Sequence, residues 1–225
     1  MASPTLTRVR IAVAVGFVAL CMLGAISQKV SSQDPLTRFD SSVLETLHRH
    51  ASPAGIKGAA MVSRVGSPTA MSVLAVGGAV LLAAAGEWIV LCGWIVAFTG
   101  ASLIDEWLKL TIHRPRPGYA TALIHHATWS FPSGHAMGSL VGYGMLAYVL
   151  LLLGTRDPKA RAWIVIGLGA LIIAIGISRL YLGVHYFSDV VGGYAAGVLW
   201  LSACVAAVEL ARRRRRHALR LHPTG

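Results

Sequence analysis

Along the 225-residue chain, apolar residues do not alternate with polar ones at a strand period but run together in long blocks parted by short polar segments. The blocks occupy about 11–27, 69–86, 88–105, 135–153, 162–178 and 189–210. A helix needs about 20 apolar residues to cross a bilayer, and in lipid every backbone polar group has to be satisfied within the span. The pattern therefore predicts an all-α, polytopic membrane protein of roughly six transmembrane helices. Little chain is left over, so residues 1–225 are expected to form one domain. Glycines punctuate the blocks, as at Gly192, Gly193 and Gly197, where small residues let helices approach closely.

Two segments need separate reading. The first block follows Arg8 and Arg10 and so looks like the opening of a signal peptide. No convincing small-residue cleavage site stands at Gly24–Gln28 and more spans follow, so a retained first helix is expected. Residues 30–67 mix charged and apolar positions, and Leu36, Phe39, Val43, Leu44 and Leu47 recur at helical intervals. That periodicity predicts an amphipathic helix, either lying on the membrane surface or packed over the bundle.

Composition agrees with the pattern: 55% of residues are hydrophobic and 13% charged, too apolar for an ordinary soluble domain. The net charge of +11 does not imply nucleic acid, because no basic stripe is interleaved with aromatic residues. More than half of the lysines and arginines instead gather at Arg8 and Arg10, between Arg156 and Arg161, and between Arg212 and Arg220, each beside an apolar block. Cytoplasmic segments carry that bias, which places both termini in the cytoplasm and the loops 28–68, 105–135 and 178–189 on the other side. Lys29, Arg38, Arg49, Lys57 and Arg64 dilute the bias in the first of those loops. The arginine run at 212–216 reads as a stop-transfer anchor, with binding of anionic headgroups as the alternative. A chain rich in Ala, Gly and Arg suits a bacterial inner membrane. Cys21, Cys92 and Cys204 show no paired or metal-ligand spacing and are expected to be small core residues.

Three polar stretches carry residues that a plain bundle has no use for, and all three fall on the face opposite the termini. In the first, Lys109-Leu-Thr-Ile-His-Arg-Pro-Arg116-Pro117, Lys109 alone could snorkel to headgroups. Pro115 ends the helix and lets the chain return Arg116 toward it, which suits an anion site. Asp105 and Glu106 are expected as structural partners of these cations, Asp105 pairing with Lys109 four residues on. In the second, Phe131-Pro132-Ser133-Gly134-His135, Ser133 is placed as a helix N-cap, and first-turn amides favour an anion. Gly134 allows close backbone approach and His135 could protonate a leaving oxygen, although a simple capped helix start would read the same way. In the third, Ser178-Arg179-Leu-Tyr-Leu-Gly-Val-His185-Tyr-Phe-Ser-Asp189, His185 and Asp189 are four apart. On a helix they would share a face, the carboxylate holding one ring nitrogen protonated and leaving the other free to attack. A purely structural His and Asp pair is the competing reading. His113, His125 and His126 are expected at the rim, and Trp129, Tyr181 and Tyr186 in an interfacial belt.

Lys109 with Arg116-Pro117, Pro132-Ser133-Gly134-His135, and Ser178-Arg179 with His185 and Asp189 resemble, in order and spacing, the three signature motifs of the type 2 phosphatidic acid phosphatase superfamily, in its membrane lipid phosphatase branch. The resemblance implies a helical core from the third to sixth spans. In it Lys109, Arg116, Arg179, Ser133 and the Gly134 backbone bind phosphate. His185 is the nucleophile that forms a phosphohistidine, Asp189 orients it, and His135 protonates the leaving group. It implies a metal-independent lipid phosphate or pyrophosphate phosphatase without a cofactor. Undecaprenyl pyrophosphate, phosphatidylglycerophosphate and phosphatidic acid are the candidate substrates. A phosphotransferase using the same intermediate is the alternative, and the related vanadate-dependent haloperoxidases are disfavoured because they are soluble.

Overall fold

The computed structural model describes residues 4–32, 35–119 and 128–221. Eight helices fill them: α1 (Pro4–Ser31), α2 (Pro35–Arg49), α3 (Pro53–Val65), α4 (Pro68–Ala84), α5 (Trp88–Ile112), α6 (Gly134–Leu153), α7 (Pro158–Tyr181) and α8 (Phe187–Leu221). Several starts are written locally. Ser52, Ser67 and Asp157 each accept a hydrogen bond from a first-turn amide, and a proline follows each, where its missing N–H costs nothing.

Six stretches are long and apolar enough to cross a membrane: α1, α3 joined to α4, α5, α6, α7 and α8. The second stretch takes in α3 as well as the apolar block that the sequence pattern begins near 69. Residues 66–68 (Gly-Ser-Pro) form the turn between α3 and α4 within that stretch. Gly66 has no side chain there because Ile175 of α7 lies against it; a Cβ would sit 2.5 Å from Ile175 Cγ2. Only α2 is amphipathic in the expected manner, and it packs over the bundle against α7 and α8.

The core runs between α5, α6 and α8, through Val90, Trp94, Ala97, Met137, Val141 and Met145, closed by Ala196, Cys204 and Val208. Large apolar side chains such as Phe17, Val73, Leu103, Trp107, Trp163 and Ile166 face outward, which is stable when lipid replaces water as the surrounding solvent. Cys204 is the core cysteine; Cys21 and Cys92 sit exposed on the outer face, where a thiol behaves as a small apolar group. The expected glycines do bring α6 and α8 together: a Cβ on Gly193 would lie 2.7 Å from the Ser133 carbonyl oxygen, and one on Gly197 3.1 Å from Leu140 Cδ2.

Ion pairs fix which helix ends lie together. Arg8 of α1 meets Glu209 near the end of α8 at 3.1 Å, and Arg212 meets Glu87 at the start of α5 at 2.8 Å. The opposite end of the bundle therefore collects the end of α5, the start of α6, the end of α7 and the start of α8.

Candidate active site

Those four ends surround a cavity of about 760 Å³ whose lining includes Lys109, Arg116, Gly134, His135, Arg179 and His185. All six were expected together from the sequence. Ser133 and Asp189 are fully buried behind them. Toward the bundle the same cavity continues along Met71, Ala75, Phe98 and Val141, so one end is cationic and the other apolar.

His185 lies in the turn between α7 and α8, not on a helix, so it reaches Asp189 by a different route from the shared helical face. Gly183, at φ 67°, allows the turn. Asp189 is the third residue of α8, and its carboxylate reaches back to accept the Tyr186 amide at 2.8 Å, as an N3 acid does in a capping box. It also accepts from Ser130 Oγ, and from Arg114 Nη1 at 2.6 Å. Its Oδ2 stands 3.5 Å from His185 Nδ1, in line to pair but beyond hydrogen-bond length. On the other side of the ring, Nε2 is 3.1 Å from Arg116 Nη1. A guanidinium can only donate, so Nε2 accepts and the ring proton is assigned to Nδ1, facing Asp189.

Burial pushes the His185 imidazole down to about 4, against the opposing pull of Asp189 and with help from Arg116 and Arg179. The ring is therefore neutral through the whole physiological range, its Nε2 lone pair engaged by Arg116. The same shift has a stability consequence. Between pH 6.5 and about 4 the unfolded chain takes up a proton that folded His185 refuses. Stability from this group is thus complete above pH 6.5 and is lost as pH falls through 4, by up to about 3 kcal/mol. Thermal unfolding of the wild type against His185→Gln across that window should show the wild type losing the more on acidification.

The cations differ in their partners. Lys109 pairs with Asp105 at 2.5 Å, as expected, and Gly134 makes room for the pair: a Cβ there would lie 2.9 Å from Asp105 Oδ2 and 3.2 Å from Lys109 Nζ. Among the described residues Arg116 has only neutral hydrogen-bond partners, the Thr128 carbonyl and hydroxyl at 2.8 Å each and the Val184 carbonyl at 3.0 Å, besides His185. Arg179 donates Nη1 to Ser63 Oγ at 2.6 Å, and its buried Nε has no partner among the described residues. Ser133 occupies the N-cap position of α6 without the expected cap bond; its backbone N–H donates to the Asp189 carbonyl, and its buried hydroxyl has no partner among the described residues. A cluster of donors left over in this way is what an anionic ligand would complete.

Two site residues escaped the sequence reading. Arg114 is 7% exposed and sits between two carboxylates, with Nη2 at 2.8 Å from Asp40 Oδ2 and Nη1 at 2.6 Å from Asp189 Oδ1. Burial alone would lower its pKa, but Asp189 and Asp40 hold it above the ordinary arginine value. Asp40, fully buried on α2, also accepts the Ser188 amide at 2.9 Å and the Ser188 hydroxyl. It thereby satisfies a free N–H in the first turn of α8. The available signal was positional: Asp40 lies four residues from both Leu36 and Leu44, on the apolar side of the amphipathic helix, where an unpaired acid would be costly.

Tyr186 is not a belt residue, since its ring packs under Arg114 with the guanidinium carbon 4.1 Å from the centroid. The Tyr181 hydroxyl accepts the Ser52 amide at 3.2 Å, and Trp129 meets His113 edge-on at 4.7 Å. His125 and His126 lie outside the described residues. Among the described residues no three His, Cys, Asp or Glu side chains converge to hold a metal.

Comparison with known proteins places this geometry. The PAP2 superfamily model matches residues 88–213, which contain every motif above. Phosphatidylglycerophosphatase B of Bacillus subtilis is 38% identical over 105 residues, 47% of this chain and 51% of that protein. A lipid A 1-phosphatase of Rhizobium johnstonii is 35% identical over 122 residues, 50% of this chain and 44% of that protein. The chain thus spans about half the length of the curated relatives it matches. A crystal structure of a transmembrane PAP2 type phosphatidylglycerolphosphate phosphatase from Bacillus subtilis superposes with a TM-score of 0.72 at 25% identity, covering 90% of this chain and 96% of that one. With more than half of its length inside the family model and its buried histidine and cations in one cavity, the chain belongs to the PAP2 superfamily.

Proposed function

We propose that this protein is a membrane lipid phosphatase that works through a phosphohistidine at His185. The observation that carries the reading is His185 Nε2, buried and unprotonated, its lone pair held only by Arg116, on the same cavity as Lys109, Arg116 and Arg179. The named activities of its relatives support the same reaction class.

The resting geometry suggests the order of events. Arg116 rests against Nε2 and blocks it. A bound phosphate offers the guanidinium a stronger, charged acceptor, so Arg116 turns to the phosphate and the lone pair is released. Lys109, Arg179, the Ser133 hydroxyl and the Gly134 amide complete the cradle. They stabilise charge on the phosphoryl oxygens as the transition state forms. Nε2 then bonds to phosphorus while the bond to the leaving oxygen breaks, and His135 gives that oxygen its proton. The approaching phosphate is the negative charge that supports a protonated His135 among these cations. Asp189 balances the imidazolium through Nδ1–H, a contact that shortens as charge develops. Water next attacks phosphorus, its proton passes to His135, and the Nε2–P bond breaks to free inorganic phosphate.

The apolar end of the cavity, at Met71, Phe98 and Val141, suits a substrate held partly in lipid. With the arginine-rich helix ends in the cytoplasm, the catalytic end faces the extracytoplasmic side of a bacterial inner membrane. Metal independence follows from having the electrophilic role filled by three cationic side chains. Purified protein in detergent should release phosphate from phosphatidylglycerophosphate, phosphatidic acid or an isoprenoid diphosphate, at an unchanged rate in excess EDTA. No release from any of the three, or release abolished by EDTA, would count against the reading.

A further inference from the structure

A second cavity of about 280 Å³ adjoins the first, sharing His135 and Arg179 with it. Its remaining walls are Ala60, Ser63, Arg64 and Ser67 around the α3–α4 break, with Leu182 and Val184 after α7. We infer that this chamber is a second anion subsite, which holds a further phosphate of the lipid headgroup while the first is cleaved. The inference rests on the phosphatase reading above and deepens it by naming the substrate class: headgroups with two phosphates.

Charge is the first argument. Elsewhere Lys109 is matched by Asp105, Arg114 by Asp40 and Asp189, and Arg212 by Glu87, whereas Arg116 in the first cavity and Arg161 at the far end have only neutral partners among the described residues. No acid lines the second chamber, although two arginines do. Arg64 is exposed at the chamber mouth and its guanidinium makes no hydrogen bond or ion pair among the described residues, while Arg179 has a serine hydroxyl for its partner and a buried Nε with none among them. Two like charges lining one small chamber repel unless an anion lies between them.

Hydrogen-bonding capacity is the second argument. Ser63 Oγ accepts from Arg179, and Ser67 Oγ accepts the Ala70 amide at 3.2 Å. Neither hydroxyl has an acceptor for its own proton among the described residues, so both O–H groups remain to donate to phosphate oxygens. The third argument is position. His135 stands where the two chambers meet. A leaving oxygen at His135 therefore starts at the door of the second chamber, and whatever it is attached to extends there. In a lipid diphosphate that group is the second phosphate; in phosphatidylglycerophosphate it is glycerol followed by a phosphodiester.

The α3–α4 break gives the chamber its shape. Because the helix stops at Val65 and restarts at Pro68, Arg64 and Ser67 both line one space next to α7. The packing of Ile175 against Gly66 holds the break in place.

The test compares kcat/KM on chain-matched pairs: farnesyl diphosphate against farnesyl phosphate, and phosphatidylglycerophosphate against phosphatidic acid, for wild type, Arg64→Ala and Arg64→Lys. We expect Arg64→Ala to lower the ratio of two-phosphate to one-phosphate turnover about tenfold, mainly through KM, and Arg64→Lys to restore part of it. A drop in the farnesyl pair alone identifies a diphosphate site, and a drop in the phosphatidyl pair alone a site for the phosphodiester. Unchanged ratios in both pairs would overturn the inference and leave the phosphatase reading intact, as would a wild type that prefers the single phosphates. A wild type that hydrolyses none of the four overturns both.

Discussion

His185→Ala is expected to lower lipid phosphate hydrolysis by at least about a thousandfold, the order of loss found when a covalent nucleophile is removed. The loss should appear in kcat, because Lys109, Arg116 and Arg179 still line the cavity and can still hold the substrate. The fold should survive. Asp189 keeps Arg114, Ser130 and the Tyr186 amide as partners, and Arg116 keeps Thr128 and the Val184 carbonyl. His135→Ala should behave differently. A lipid with a good leaving group, such as an aryl phosphate ester, hardly needs a proton donor, so this variant should recover much of its rate on that substrate while His185→Ala recovers none. Phosphate release from both substrate types, measured for both variants, separates the nucleophile from the acid. Equal losses on both substrates for both variants would contradict the division of labour.

The second large effect is expected at a residue that touches no substrate. Arg114→Met should destabilise the protein by about 3–5 kcal/mol, because it leaves two fully buried carboxylates, Asp40 and Asp189, without their shared cation. The methionine fills much of the volume, so lost packing is not the main cause. Activity should fall too, through Asp189: freed from Arg114, that carboxylate is no longer held in line with His185 Nδ1. Asp40→Asn should be milder. It retains the Arg114–Asp189 pair and an acceptor for the Ser188 amide, its Nδ2 can donate to the Ser188 hydroxyl instead, and it removes only one of the two ion pairs. Thermal unfolding in detergent ranks the stabilities, and kcat on substrate held above KM ranks the catalytic losses. If Asp40→Asn proved as damaging as Arg114→Met, α2 would have to contribute to the site in some way beyond this ion chain.

That chain explains what could and could not be read in the sequence. The spans were legible because lipid forces long apolar runs, and the cations and histidines were legible because such residues are conspicuous at the mouths of those runs. What spacing could not show was where the backbone turns. His185 and Asp189 are four apart, as two residues on one helical face would be, yet α8 begins only at Phe187, and the acid reaches the ring from a capping position. The mixed stretch to residue 67 and the apolar block from 69 read as separate segments, yet α3 and α4 follow one another across a turn at 66–68 against which Ile175 packs. Arg114 stood beside Arg116 in the same short stretch, but its role depends on Asp40, 74 positions away. Sequence order carries no information on such a pairing until α2 is seen folded over α7 and α8.

The central claim is that phosphate passes through His185. The most direct measurement mixes enzyme with lipid labelled with radioactive phosphorus in the cleaved group, quenches in alkali, where phosphohistidine survives, and maps the label by peptide mass spectrometry. The account predicts label on the peptide bearing His185, attached at Nε2, formed and lost at rates that match turnover, and absent in His185→Ala. Turnover with no label retained on the protein, or label on any other residue, would contradict it.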